Sequence, residues 1–113
     1  MENDLKRRVK ARKLVEGEGV RLNVFLPGGR RVWTVTGHEC EYLVDFEHKK
    51  EKTYCSCDDF HFRVLSGKVA ECYHLVAAKR AKDEERYSVV ERKDEDYGDF
   101  MTRLLSEIFL HIS

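Results

Sequence analysis

The segment Tyr54-Cys55-Ser56-Cys57, separated by 14 residues from Cys72-Tyr73-His74, decides how this chain folds. It offers three thiolates and one imidazole, which together form a closed tetrahedral ligand set for zinc. Residues two apart on an extended strand face the same side, so Cys55 and Cys57 can address one ion. Two sulfur ligands of a tetrahedral zinc lie roughly 3.7 Å apart, whereas the strand repeat is roughly 6.7 Å. We therefore expect the chain to curl at Ser56.

The second half of the pattern predicts the start of a helix. Residues two apart on a helix diverge by about 200°, so Cys72 and His74 share an ion only if Cys72 precedes the first turn and His74 lies within it. The positive end of that helix would also help to keep the thiolates ionised. When Cys55, Cys57, Cys72 and His74 fill all four positions, no site is left for water or substrate. The sequence thus predicts one structural zinc ion per chain and no catalytic residue.

On both sides of this pattern, the hydrophobic periodicity of the sequence predicts a single α+β domain over residues 1–113. An antiparallel meander of four strands leads to the zinc site, and helices lie at both ends of the chain. In the first strand, the period of two places Leu22 and Leu26 on one side and Asn23 and Phe25 on the other, as on a half-buried strand. The predicted elements are helices at 1–16, about 73–82 and about 99–111, strands at 20–26, 31–36, 41–46 and 53–55, a short strand at 86–91 and a charged linker at 92–96.

These features resemble the SWIM zinc-binding family, whose signature is Cys-x-Cys, a variable insert and then Cys-x-His. The resemblance covers about residues 31–82 and implies a ββα zinc fold that binds nucleic acid or protein. In size the chain is similar to the SWIM subunit of Shu-type recombination complexes, which implies a RecA-like ATPase as its partner. Cys40 departs from the signature and could replace a ligand. Besides the ligands, the resemblance rests on Trp33, Val35, Tyr42, Val44, Tyr54, Tyr73, Leu75, Ala77 and Ala78.

The composition is typical of a globular protein outside the membrane. Apolar residues make up 42% and charged residues 37% of the 113 residues, and no apolar run approaches the roughly 20 residues that a membrane helix needs. Four cysteines without a signal-peptide core predict a cytoplasmic location, where reduced thiols are free to bind metal. The absence of glutamine and the abundance of Lys, Arg and Glu are typical of a thermophilic source.

Charge is balanced overall but unevenly distributed. The 21 basic and 21 acidic residues cancel, so no global field attracts nucleic acid. Residues 5–15, however, contain six basic groups and no acid. This segment predicts local contacts to phosphates, and an exposed, solvated helix is the equal alternative. The candidate nucleic-acid-binding residues are Lys6, Arg7, Arg8, Lys10, Arg12, Lys13, Arg30 and Arg31, extended by Lys49, Lys50 and Lys52.

The C-terminal helix is apolar on so many sides that it requires more than one neighbour. We expect a partner-binding surface or a homodimer seam there, and burial in the chain's own core is the alternative. The candidate partner-binding residues are Phe100, Leu104, Leu105, Ile108 and Phe109.

Two functions follow as hypotheses. The first is a non-enzymatic protein-interaction subunit of a DNA repair or recombination assembly, and the second is direct binding of DNA or RNA through the basic N-terminal segment. A third hypothesis, thiol redox chemistry at Cys55 and Cys57, requires an accessible thiol with no metal bound. Asp58, Asp59 and His61 could form a hydrolytic cluster, but such residues more often cap a turn or support a metal site.

Overall fold

The computed structural model describes residues 2–37, 41–47, 53–57 and 72–112, and for residues 2–4, 7 and 107–112 it describes the backbone alone. The chain is an α+β fold in which a five-stranded sheet is covered by helices on both faces, as the predicted class requires. Its elements are α1 (Glu2–Glu16), β1 (Val20–Leu26), β2 (Arg30–Thr36), β3 (Glu41–Asp45), β4 (Tyr54–Cys55), α2 (Tyr73–Glu84), β5 (Ser88–Lys93), a 3-10 turn (Asp94–Asp96) and α3 (Tyr97–Ile112).

The sheet has the strand order β4-β3-β2-β1-β5. Its first four strands form the predicted antiparallel meander. The fifth strand was predicted at 86–91 without a partner, and it instead spans Ser88–Lys93 and pairs in parallel with β1. The linker predicted at 92–96 is therefore wrong, because its first two residues belong to this strand and the rest form the 3-10 turn. The sheet is mixed, and β1 is an interior strand.

One face of the sheet, here called the metal face, packs against α1 and α2. The strand register aligns Leu22, Trp33 and Val44 in one row across β1, β2 and β3, and all three are buried. Small residues of α2 let that helix approach the row closely, and Ala77 and Ala78 are fully buried. The same cluster includes the cysteines at positions 55, 57 and 72. The predicted metal ligands are thus part of the main hydrophobic core.

The opposite face, here called the α3 face, is covered by the C-terminal helix. Phe25, which the alternation had placed away from the buried side, is fully buried and makes edge-to-face contacts with Tyr97 and Phe100, at centroid distances of 5.1 and 5.3 Å. Leu26, on the predicted buried side, is 42% exposed. The half-buried interpretation of β1 is therefore wrong, because it assumed that solvent lies where α3 packs.

A polar network on the α3 face satisfies the one buried amide of β1. Asn23 donates to the carbonyl oxygen of Val32 (3.1 Å) and to the hydroxyl of Thr34 (3.3 Å), and its own oxygen accepts from Arg92 Nε (3.0 Å). The Arg92 guanidinium also stacks on the ring of Phe100, 4.4 Å from its centroid. Since the buried polar atoms find partners, α3 can cover this face without leaving an unpaired group.

Among the described residues, no helix combines the length and the apolar character that crossing a membrane requires.

Candidate metal centre

Cys55 and Cys57 are positioned by the short edge strand β4. Cys55 pairs with Val44 of β3, and Ser56 continues the contact because its N–H donates to the carbonyl of Leu43 (3.0 Å) while its hydroxyl accepts from the N–H of Leu43 (2.9 Å). The strand ends at Cys55, and the backbone bends at Cys57, one residue beyond the predicted position Ser56. Both cysteines are buried. The fixed Ser56 thus presents two thiols to the same interior point.

Cys72 and His74 lie at the start of α2 in the arrangement expected from helix geometry. Cys72 is the N-cap residue, with extended backbone angles (φ −80°, ψ 162°), and Tyr73 is the first helical residue. His74 therefore lies in the first turn, and its ring is 3% exposed. The change from extended to helical backbone between these two residues lets both side chains point at one site.

The four side chains converge on one point, as the spacing predicted. The candidate ligand atoms of Cys55, Cys57, Cys72 and His74 all lie within 4.8 Å of one another, and all four residues are buried. Tetrahedral zinc would hold its sulfur ligands roughly 3.7 Å apart, so a contraction of about 1 Å closes the longest separation. The cluster can hold a single metal ion.

The surroundings of His74 support a metal more directly than the distances do. Neither Nδ1 nor Nε2 has a hydrogen-bond partner among the residues that the structure describes, although both atoms are buried. Leaving a buried polar atom unpaired costs about 1–3 kcal/mol, and a metal ion would satisfy one of the two. The ring is instead fixed by aromatic contacts with Tyr42 (4.6 Å between centroids) and Tyr73 (4.0 Å).

The thiols are also electrostatically prepared for a cation. Contacts from Cys55 and Cys57, followed by the backbone N–H groups of Leu75 and His74 at the start of α2, lower the pKa of Cys72 to about 4. The same contacts with Cys57 and Cys72, together with burial, raise the pKa of Cys55. The Cys72 sulfur is therefore favoured as a thiolate, and a bound cation would stabilise that negative charge further.

The basic candidates are spread over two regions. Those with described side chains are exposed, and they are Lys6, Arg8, Lys10, Arg12, Lys13, Arg30 and Arg31. Two of them contact aromatic rings, Lys10 over Tyr73 (5.4 Å) and Arg30 over Tyr97 (4.4 Å). Arg31 forms an ion pair with Glu47 (3.2 Å). The Arg7 side chain and residues 49, 50 and 52 lie outside the described part.

The candidate partner residues on α3 separate into two groups. Leu104 is 4% exposed and Phe100 is half-buried against Phe25, so both pack against the chain's own sheet. Leu105 is 46% exposed. The side chains of Ile108 and Phe109 lie outside the described part. The alternative expectation, intramolecular packing, thus holds for two of the three described residues.

Glu47 links two elements of the structure, although the sequence pattern did not single it out. Its carboxylate accepts hydrogen bonds from Trp33 Nε1, from Arg31 and from Lys82 (3.0 Å). Burial raises the pKa of Glu47, but these hydrogen bonds together outweigh burial, so the net pKa lies below its ordinary value of 4.5. It ties β2 to α2, and only its position beside the aromatic Phe46 could have indicated this.

Several predictions fall on residues outside the described part, namely the role of Cys40 and the cluster of Asp58, Asp59 and His61. The resemblance to the SWIM family also stays a prediction, because a Cys/His cluster alone does not identify a family. Comparison of the chain with protein-family models, with curated proteins and with solved structures finds no match.

Proposed function

We propose that the ion is zinc and that its role is structural. Three thiolates and an imidazole are the donors that zinc prefers, and the same soft set disfavours magnesium and calcium. All four ligand residues are buried, and four protein donors complete a tetrahedral shell. An ion held this way has no open position for a substrate. A cytoplasmic location, in which thiols stay reduced, is part of the proposal.

On this basis the chain is a non-enzymatic binding module that acts as a protein-interaction subunit in DNA repair or recombination. The observation that carries the proposal is the closed, buried Cys3His site at the junction of β4 and α2. The resemblance to SWIM proteins adds the expected partner, a RecA-like ATPase. Among the predicted partner residues whose side chains are described, Leu105 is exposed and so available to a partner.

The test is affinity capture from the source organism with the tagged, zinc-loaded chain, followed by mass spectrometry. The expected result is co-purification of a RecA-like ATPase or another recombination protein, lost when Leu105 is changed to Asp. Val89→Asp is the matched control, because Val89 is also an exposed apolar residue (57%) but lies on the edge strand β5. Capture of no repair protein by a folded, zinc-loaded chain contradicts the assignment.

Direct nucleic-acid binding is the second candidate, and the exposed basic side chains of α1 favour it. The basic side chains described on this helix are exposed, and the ion pairs found within the described residues involve none of them. Lys6, Lys10 and Lys13 recur at helical spacing and therefore share one flank. A row of unpaired cations is what phosphate contacts require.

The salt dependence of binding tests this second candidate. We expect reversal of Lys6, Lys10 and Lys13 to Glu to weaken oligonucleotide binding and to reduce the slope of log K against log salt by about two to three, since each phosphate contact contributes about 0.7 to 0.9. Lys93→Glu, a highly exposed cation on β5, is the control. An unchanged slope in the triple variant rules out α1 as the contact.

A further inference from the structure

A cleft of about 370 Å³ lies on the α3 face, between α3 and the ends of β2, β3 and β4. Its apolar lining comes from Val32, Leu43 and Met101. Two phenol rings, those of Tyr54 and Tyr97, also line it. The volume falls within the roughly 300–1,000 Å³ typical of ligand sites. The cleft and the metal ligands lie on opposite faces of the sheet, because Tyr54 and Cys55 are successive residues of β4.

The cleft exists because α3 uses only one flank to pack on the sheet. Phe100 and Leu104 face the sheet, whereas Met101 is half-buried and Leu105, one turn further along, is 46% exposed. Residues four apart are neighbours on a helix surface, so these last two form a continuous apolar edge beside the cleft. The packing of α3 against the sheet leaves this apolar edge partly accessible.

The charges around the cleft leave one cation without a counter-ion. Glu47 is neutralised by Arg31 and Lys82, and Asp45 is engaged in an interaction of its own. Arg30 has no ion pair with any described residue, and its guanidinium lies on the ring of Tyr97 at 4.4 Å. Stacking orients the planar guanidinium while leaving its N–H donors available for a carboxylate.

We propose that this cleft docks an extended segment of a partner protein, with a bulky apolar side chain seated on Val32, Leu43 and Met101 and a neighbouring acidic side chain paired with Arg30. The inference deepens the interaction role proposed above and rests on it for the partner being a protein. A peptide fits better than nucleic acid, because Arg30 alone among the described cations that line the cleft lacks an ion pair, and one such cation supplies few of the phosphate contacts on which nucleic-acid affinity depends. The pre-oriented guanidinium reduces the entropy lost on binding.

The experiment is a random-peptide phage-display selection on the full, zinc-loaded chain, followed by titration of the selected peptides. Binding is followed by the fluorescence anisotropy of dye-labelled peptides. We expect enrichment of sequences with Phe, Leu, Ile, Met or Trp next to Asp or Glu. Arg30→Ala should weaken binding roughly ten-fold and abolish the acidic preference. Met101→Ser should weaken binding as well, and Val89→Asp should change nothing.

Several outcomes overturn the proposal. One is a selection whose peptides bind Arg30→Ala and Met101→Ser as tightly as the unchanged chain, provided that melting curves show these variants folded. Self-association abolished by Met101→Ser would assign the cleft to a second copy, and displacement of the labelled peptide by a single-stranded oligonucleotide would assign it to nucleic acid. If the captured repair partner is retained by both cleft variants, the docking site is wrong while the interaction role stands. If the chain binds acidic-apolar peptides but captures no repair protein, the docking site stands and the proposed repair role is wrong.

Discussion

Loss of the metal ion is expected to unfold the half of the molecule that contains β4 and α2. In small zinc domains, the binding of structural zinc contributes roughly 10–16 kcal/mol to the free energy of folding. A chain of 113 residues has a free energy of unfolding of about 6–17 kcal/mol at roughly 0.05–0.15 kcal/mol per residue. If the site holds zinc as proposed, the ion would therefore supply an amount comparable to the whole stability. Cys72→Ser removes one ligand and weakens the hold of the other three.

The structure indicates which part depends on the ion. Strand β4 pairs with β3 through only two residue pairs, Val44 with Cys55 and Asp45 with Tyr54, whereas β1 pairs with β2 and with β5 over six pairs each. Without metal, β4 is held by these pairs and by Ser56, and His74 remains buried with both nitrogens unpaired. We expect β4 and the start of α2 to detach before the other strands do.

The assay combines elemental analysis with thermal unfolding followed by circular dichroism. The unchanged chain should hold one zinc, and Cys72→Ser or chelation should lower the melting temperature by more than about 10 °C, since a loss of at least 3 kcal/mol corresponds to roughly 4–8 °C per kcal/mol in a domain of this size. Cys40→Ser is the control and should retain zinc and stability. One zinc and an unchanged melting temperature in Cys72→Ser would refute the reasoning.

Three further perturbations test the packing around the site. Tyr42→Leu should weaken zinc binding by about two- to ten-fold in competition with a chelating dye, because the aromatic contact that fixes His74 is worth about 0.5–1.5 kcal/mol, and Tyr42→Phe should retain most of the affinity. Glu47 has a lowered pKa, so its carboxylate stabilises the fold above its ordinary pKa and this contribution disappears as pH falls through the lowered value. In urea unfolding, Glu47→Gln should therefore be less stable than the unchanged chain at neutral pH and should lose less stability when the pH is lowered. Phe25→Ala should cost about 3–5 kcal/mol in urea unfolding, whereas Leu26→Ala, at an exposed position, should cost less than about 0.5 kcal/mol. Equal losses in this last pair would contradict the burial of Phe25 under α3.

The local geometry of the metal site could be predicted from the sequence because it depends on short-range constraints. Sulfur spacing requires a turn at Ser56, and helix geometry requires Cys72 at the N-cap with His74 in the first turn. The helix feature is found as predicted, and the chain bends at Cys57, one residue beyond Ser56. Each of them is fixed by residues within a few positions of one another, so no knowledge of the remaining fold was needed.

The second face of the sheet could not be predicted, since it depends on contacts between distant segments. The pairing of β5 with β1 joins residues more than 60 positions apart. The alternation of side chains along β5 does not indicate which strand it pairs with. Once β1 is interior and α3 crosses it, Phe25 and Asn23 become buried. The apolar excess of α3, which the sequence assigned to a partner, is satisfied in part by this face.

Strand β4 connects the metal site with the proposed docking cleft. Successive residues of a strand point to opposite faces, so Cys55 faces the ion while Tyr54 lines the cleft. Because β4 has two pairs with β3 among the described residues, we expect the position of Tyr54 to depend on the proposed ion at Cys55. A metal that takes no part in chemistry would still control recognition, since its loss removes one wall of the cleft on the other side of the sheet.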